Sequence, residues 1–421
     1  ASLVVINTCA FLTASQAESI ETILEVARLK KRGRLRKLVV SGCLAQRHGA
    51  SVLDEIPEID YLLGPGTIDQ VGDVAAGLLR GDLERGARLG GLERSGFEWE
   101  PRVLSGFRHT AYLKISEGCN NTCSFCVIPQ LRGKHRSRPL EQVVAEARRL
   151  GAAGVKELTV IAQDTTSYGI DLYGRFSLDR LLEALDAVPG VEWIRLLYTY
   201  PRYWTEGLLE SFSRLEHLCP YVDIPIQHAA DRILHRMRRG AGWPETEALL
   251  RRIREAAPEM TVRTTVITGF PGETEEEFRF LLNFLREFEF DQLGAFAYST
   301  EDGTGAGAME DQLPEEVREE RRHQVLRQQQ AISLRRNRAR VGRTLQVLID
   351  DVDSGKGLAR GRWAGQALEI DGQVLLRTPG RNGGRALEAG DLVPAIVQGT
   401  GPYDLIGRLD GTGPGNGGEC G

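Results

Sequence analysis

Apolar and polar positions follow two different rhythms along this chain, and the change of rhythm divides it. Between about residues 108 and 300, short apolar runs at 111–115, 158–162, 193–197, 222–225, 262–268 and 293–297 are separated by longer stretches with helical spacing. The stretch after Pro139 carries the helical stripe clearly, with Leu140, Val143, Val144, Ala147 and Leu150 on one face and Gly151 and Gly154 to end it. Thr274, with Glu277 at the third position beyond it, predicts a capped helix start. Six strands with helical crossovers predict an α/β fold whose parallel sheet curls into a full or partial barrel. Chemistry in such sheets belongs at the carboxyl ends of the strands.

On either side the pattern differs. Residues 1–100 read as a small α/β unit, because β-rich runs at 3–6, 38–40 and 61–63 flank a helical stretch with Ile20, Ile23, Leu24 and Ala27 at helical spacing. Ser15 and Glu18 predict a capping box for that helix, and periodicity fades into a connector between Gly81 and Gly106. The barrel unit then spans 101–313, and 314–340, opening with Pro314 and rich in Arg and Gln, reads as an exposed linker helix. From Thr344 to Leu409 the period becomes two. Asp371-Gly372 between Ile370 and Val374 predicts a hairpin, and 341–410 a small β-barrel. The Gly-rich tail, 411–421 with Cys420, cannot bury enough surface to order itself.

Composition narrows the class without naming a function. With 421 residues, 41% hydrophobic and 26% charged, the chain has the make-up of a two- or three-domain globular protein. A formal net charge of −5 lacks the basic surplus of a protein that coats DNA. No apolar run reaches the roughly 18 residues of a membrane helix, and Leu3 to Ile6 lacks the basic flank of a secretion signal. Seven unevenly spaced cysteines do not form a disulfide framework; they point to metal or redox chemistry in a reducing, cytoplasmic setting. The chain opens Ala1-Ser2-Leu3 on an apolar run with no initiator Met, so a preceding segment is expected.

The densest chemical signal is Cys119-Asn-Asn-Thr-Cys123-Ser-Phe-Cys126, directly after the first barrel strand. Three close thiolates can hold three corners of an iron–sulfur cube and leave one iron open to a substrate or cofactor. The plainer alternative is a closed zinc site with His109 or His135 as fourth ligand, in a binding protein without catalysis. The basic run Arg132, Lys134, His135, Arg136 and Arg138 could grip RNA phosphates or anchor carboxylates of neighbouring loops. Thr268-Gly269-Phe270-Pro271-Gly272-Glu273 is not read as a phosphate loop, because its acidic residues would repel the ligand. Cys9 and Cys43 alone, like Cys219, could be small buried hydrophobes.

The three-cysteine spacing and its place after the first strand resemble the radical S-adenosylmethionine (SAM) superfamily. The resemblance extends over nearly the whole chain. Val5-Ile6-Asn7-Thr8-Cys9 and Ser41-Gly42-Cys43 look like the amino-terminal domain of the methylthiotransferases, and the terminal barrel is similar to their TRAM domain. Gln163-Asp164-Thr165-Thr166-Ser167-Tyr168-Gly169, Tyr198-Thr199-Tyr200-Pro201, Pro225-Ile226-Gln227-His228-Ala229, Leu368-Glu369-Ile370-Asp371-Gly372 and Tyr403-Asp404-Leu405-Ile406-Gly407 resemble the branch that modifies a ribosomal protein rather than tRNA.

The family implies an α/β methylthiotransferase domain, a radical SAM partial TIM-like barrel and a TRAM barrel that recruits substrate. It also implies two 4Fe-4S clusters. One, on Cys119, Cys123 and Cys126, would bind SAM and generate a radical. The other is auxiliary and handles sulfur; Cys9 and Cys43 match the second and third of its three cysteines, the first lying upstream of Ala1. Gln163, Asp164, Gln227 and His228 are the implied SAM contacts. The implied reaction adds a methylthio group to the β-carbon of an aspartate in small-subunit ribosomal protein S twelve, free or in the ribosomal subunit, with an electron donor and a sulfur source as further partners. A tRNA (adenosine) methylthiotransferase of the same fold is the alternative. From Val341 onward eight basic and ten acidic residues make the terminal barrel mildly acidic, which suits a basic ribosomal protein better than tRNA.

Overall fold

The computed structural model describes residues 1–93, 103–377 and 386–410. Trp99 and Pro101 of the expected connector and the tail with Cys420 lie outside the described residues. The amino-terminal unit is a parallel sheet ordered Leu3–Thr8, Lys37–Gly42, Tyr61–Leu63 and Gly86–Arg88. The last strand falls inside the expected connector; three residues with a single hydrophobic member carry no readable period. The first helix, Thr13–Lys31, buries Ile23 and Ala27, whereas Ile20 and Leu24 are exposed. Ser15 sits inside the first turn instead of ahead of it, its hydroxyl accepting from the N–H of Leu12, so the predicted Ser15–Glu18 box does not form.

The central sheet holds six parallel strands in the order Gln292–Ala297, Thr261–Thr268, Leu218–Asp223, Trp193–Leu196, Glu157–Ile161 and Thr110–Lys114. Its two ends do not pair, so it is an open barrel. Alternation sorts the side chains: Leu158, Val160, Ile194 and Leu196 pack outward among Val143, Ala147, Leu181 and Leu182 of the crossover helices. Thr159, Arg195, Tyr221 and Arg263 take the other parity and face the lumen. The strand Leu218–Asp223 begins four residues before the apolar run that announces it, because Pro220 interrupts the pattern. The Thr274–Glu277 capping box is present, with Glu277 N–H donating to Thr274 Oγ1 at 3.3 Å and Thr274 N–H to Glu277 Oε2 at 2.9 Å.

The helix Glu315–Arg338 is more than an exposed linker. It runs along the edge strand Gln292–Ala297 and buries Arg321, Val325, Gln329, Ile332 and Ser333, with Gln329 Nε2 donating to the Phe290 carbonyl at 2.8 Å. Its polar buried face hides the helix from a hydrophobicity count. The carboxyl-terminal unit is a closed barrel ordered Thr344–Asp353, Leu358–Trp363, Val374–Arg377, Leu405–Leu409 and Leu392–Thr400 around Val347, Ile349, Leu376 and Val397. Asp371-Gly372 does lie between two antiparallel-paired strands, Leu358–Trp363 and Val374–Arg377, but in a long connection, 364–373, and not as a tight two-residue turn. Asp371 is buried, accepting from the Ala367 N–H and the Tyr221 hydroxyl, both at 2.8 Å, so burial against the central barrel overrides the local turn signal. Among the described residues no helix is long and apolar enough to cross a membrane.

Candidate functional site

The first barrel strand ends at Lys114, and the chain then makes a narrow antiparallel ribbon, Ser116–Glu117 against Arg136–Ser137, that carries the cysteine loop between its arms. Gly118 opens the loop at φ 78°, and a Cβ there would stand 2.2 Å from the Lys134 carbonyl oxygen, so only glycine fits. Its N–H donates to Gln163 Oε1 at 2.8 Å, and Ser124 N–H to the Met237 carbonyl at 2.9 Å. Each cysteine sulfur receives an N–H donor: Asn121 Nδ2 on Cys119 at 3.3 Å, Arg239 Nη1 on Cys123 at 3.7 Å, and the Ile128 N–H on Cys126 at 3.5 Å. Burial pushes the Cys119 thiol up to about 11 and the Cys126 thiol up to about 12. One N–H donor on each partly buried sulfur would stabilise a thiolate, so the three cysteines could hold a metal.

All three cysteines open onto a cavity of about 650 Å³ at the carboxyl ends of the strands. Its walls include Gln163, Tyr198, Tyr200, Asp223, Gln227 and Arg263. Tyr198 and Gln227 hold φ of 58° and 69°, a strained backbone for side chains with a Cβ, and both sit where a strand releases its chain into the mouth. Arg239 lies over the Tyr200 ring at 4.1 Å, with Nη2 donating to the Pro225 carbonyl at 2.7 Å. Arg263 Nη1 donates to Asp223 Oδ1 at 2.8 Å.

The structure separates the two residue pairs that the sequence treats alike. Gln163 and Gln227 line the cavity. Asp164 and His228 are buried behind it. Asp164 holds Asn121 Nδ2 at 2.8 Å and accepts from the hydroxyls of Thr166 and Ser167, so it props the residue that touches Cys119. His228 accepts from the Ala230 N–H at 2.9 Å, and burial lowers its imidazole to about 3. Neighbours on a strand end point to opposite sides, and only one of each pair can meet the lumen.

Neither histidine offered as a zinc ligand points at the cysteines. His109 Nε2 is bonded to Asp350 Oδ1 at 2.9 Å, and His135 Nε2 to Ser137 Oγ at 3.1 Å. The basic run is largely turned inward: Arg138 pairs with buried Glu146 at 2.7 Å, and Arg132 with Glu117 at 3.4 Å. In the rejected phosphate loop, the N–H groups of Gly269 and Phe270 donate to Glu273 Oε2 at 2.6 and 3.1 Å, so the loop's own carboxylate fills the place of an anion.

Cys9 and Cys43 each follow a strand of the amino-terminal sheet, and those strands are paired in parallel with Thr8 opposite Gly42. Adjacent strands lie about 4.8 Å apart, so the two cysteines leave the sheet side by side. Cys9 is exposed and Cys43 buried, and both sulfurs lie near enough to Arg132, after the cysteine loop, to favour its charge. Val127 and Leu131 pack with Cys43 and Leu44 in one apolar cluster, which joins the two cysteine sets through a single short helix. Cys219 is buried in the lumen wall.

Comparison with known proteins adds a family to this geometry. The model for the Radical SAM superfamily matches residues 113–285, that for the TRAM domain 341–409, and that described as "Uncharacterized protein family UPF0004" 1–64. The ribosomal protein uS12 methylthiotransferase RimO of Desulforamulus reducens is 43% identical over 97% of this chain and 91% of its own length; that of Symbiobacterium thermophilum is 47% identical, over 97% and 83%. The chain belongs to the RimO family. It is an enzyme, a radical SAM methylthiotransferase. The fold also resembles the radical SAM methyltransferase TsrM from Kitasatospora setae, at a TM-score of 0.56 and 17% identity over 78% of each chain.

Several cavity residues of this RimO-family member carry no readable signal in the sequence. Arg239 belongs to an unremarkable Arg-Arg pair, Asp223 ends a strand, and Arg263 alternates with apolar neighbours inside one. An odd charge on the lumen parity of a barrel strand was the clue available for Arg263. Ile370, from the carboxyl-terminal barrel, also lines the cavity; it belongs to the word Leu368-Glu369-Ile370-Asp371-Gly372 that marks the family branch, but nothing local places it at the cavity.

Proposed function

We propose that this enzyme adds a methylthio group to the β-carbon of an aspartate in ribosomal protein uS12, with Cys119, Cys123 and Cys126 holding a 4Fe-4S cluster beside bound SAM. The observation that carries the reading is the set of three sulfurs, each met by an N–H donor, opening onto one cavity at the strand ends. When bound, the cluster and SAM supply one-electron cleavage of SAM and hydrogen abstraction from an unactivated carbon, chemistry that acid and base side chains do not provide.

The chain's own residues supply position and exclusion. The donors from Asn121, Arg239 and Ile128 stabilise negative sulfur, and Asp164 fixes Asn121 for that task. Gln163 and Gln227 present amides to the cavity, and the Tyr200–Arg239 stack closes one wall against water. Cys9 and Cys43, side by side at the end of the amino-terminal sheet, are two ligands of a second, auxiliary cluster that delivers the sulfur. An electron donor and a sulfur source complete the partners, and the enzyme works in the cytoplasm, where ribosomes are assembled.

The test is anaerobic reconstitution with iron and sulfide, followed by incubation with SAM, reductant, small ribosomal subunits and unmodified tRNA. A mass increase of one methylthio group on the uS12 aspartate is expected. The same group on tRNA instead would overturn the reading in favour of the tRNA branch.

A further inference from the structure

The carboxyl-terminal barrel does not stand apart from the catalytic barrel as a tethered recruiting arm. It closes the floor of the lumen. Leu348 and Ala367 pack in one cluster with Trp193, Leu197, Cys219 and Tyr221 of the central strands. Arg195, fully buried, donates to the Ala364 carbonyl at 2.7 Å. Arg362 reaches up to Glu157 at 2.7 Å while held by Asp350 at 2.8 Å. Across this seam the turn 367–371 enters the lumen, fixed by Asp371. That carboxylate accepts from the Ala367 N–H and the Tyr221 hydroxyl and lies 3.6 Å from Arg263 Nε.

The turn has a consequence for the cavity. Glu369 takes φ 60°, a left-handed conformation rare for a residue with a Cβ, and the next side chain, Ile370, remains 39% exposed on the cavity wall that also holds Tyr198, Asp223 and Arg263. Beside the paired charges of Asp223 and Arg263, this half-exposed isoleucine is an unfilled apolar contact. Its neighbour Arg263 belongs to the early part of the strand Thr261–Thr268, so Ile370 lies below the strand ends that carry the cysteine loop. SAM belongs beside the cysteines, and the deeper wall is left for the other reactant.

We propose that Ile370 is a specificity-determining residue: the carboxyl-terminal barrel builds part of the substrate pocket from inside, and Ile370 makes apolar contact with the uS12 segment that carries the reacting aspartate. This rests on the uS12 reading above. The Asp371 lock to Tyr221 and Arg263 makes the contact rigid, so the barrel selects its substrate at the reacting side chain as well as by outer-surface attraction.

The test compares full-length wild type, Ile370→Ala and Ile370→Trp. Both substitutions alter a partly exposed side chain outside the buried seam, and unchanged melting temperatures verify that the fold is kept. Three readouts are taken: binding of fluorescently labelled unmodified uS12 to cofactor-free enzyme, methylthiation kinetics, and SAM cleavage without uS12. Ile370→Trp, which fills the wall, should weaken uS12 binding and kcat/KM about tenfold, and Ile370→Ala a few-fold, with uncoupled SAM cleavage within about twofold of wild type. Wild-type binding and kcat/KM in both variants would overturn the proposal and leave the uS12 reading standing. Equal loss of uncoupled SAM cleavage would also overturn it, placing Ile370 in support of the cofactor. A wild-type enzyme that cleaves SAM but neither binds nor modifies uS12 overturns the uS12 reading and this proposal with it.

Discussion

The two ends of the central barrel solve opposite problems. At the mouth, polar groups are left open around a cavity, and three sulfurs wait among N–H donors. At the floor, an equal density of charge is sealed: Arg195, Glu157, Arg362, Asp350 and His109 form one buried chain of contacts between the central and terminal barrels. Burying charge costs several kcal/mol per ion unless each is paired, so the floor is stable only as a complete set. The difference shows that polar density alone does not mark a site; solvent-reachable polarity around a cavity does.

The largest effect is expected where the mouth is broken. Cys123→Ser removes one of three sulfurs and should cut 5′-deoxyadenosine formation from SAM to below about a thousandth of wild type, with the loss of visible iron–sulfur absorption. Melting behaviour of the cofactor-free protein should not change, because Cys123 packs no core. Retained SAM cleavage in Ser variants of Cys119, Cys123 and Cys126 alike would remove the assignment of that loop.

The floor should respond in the reverse manner. Arg362→Met leaves Glu157 with Arg195 alone and Asp350 with His109 alone, an unbalanced buried set, and should cost about 3–5 kcal/mol of stability, read as a fall in the urea midpoint of the full chain. Arg214→Ala, which breaks an exposed pair with Glu183, should leave the midpoint where it is. If the two variants behave alike, the floor is not a buried network.

This contrast also explains what could be read in advance. The cysteine loop at the mouth was legible because its three sulfurs lie within eight residues of sequence, after a strand whose period was plain. The six strands, the first three strands of the amino-terminal sheet and the terminal barrel were legible for the same reason: each is announced by its own local rhythm. The floor was not. Arg195 and Ala364, or Tyr221 and Asp371, meet across more than a hundred residues, and no local pattern says that an Asp-Gly pair will serve as an anchor instead of a turn. The split between Gln163 and Asp164, or Gln227 and His228, needed the strand's parity at its last residue, where registers are least readable.

His228 sharpens the comparison, since it stands at a strand end yet is as buried as the floor. Its imidazole is held at about 3, against 6.5 when unfolded, because burial outweighs the nearby carboxylates. The folded state therefore refuses a proton that the unfolded state accepts. His228 costs nothing above pH 6.5 and destabilises progressively as pH falls below that value. At pH 5 the loss should be about 2 kcal/mol. His228→Gln should flatten the fall in urea midpoint between pH 7 and pH 5, whereas an unchanged slope would show that another group titrates.

The smallest expected effect lies at the seam between the mouth and the amino-terminal unit. Glu301 is buried, and its carboxylate accepts from Thr13 N–H at 2.7 Å, Ser299 Oγ at 2.8 Å and Arg47 at 3.3 Å, while Arg47 also donates to the Asp302 carbonyl at 2.8 Å. The same segment holds the cysteine loop, through Ala306 N–H on the Ser124 carbonyl at 2.7 Å. Together with the apolar cluster of Val127 and Leu131, this carboxylate holds the Cys9–Cys43 pair in register with the barrel mouth. Glu301→Gln keeps the shape, loses the charge, and turns an acceptor into a donor that faces other donors. On the proposed sulfur-delivery role of Cys9 and Cys43, SAM cleavage should stay within about twofold of wild type and methylthiation should fall about tenfold. Equal loss of both would mean that the latch supports the cysteine loop itself, and that mouth and amino-terminal unit are a single site rather than two held in register.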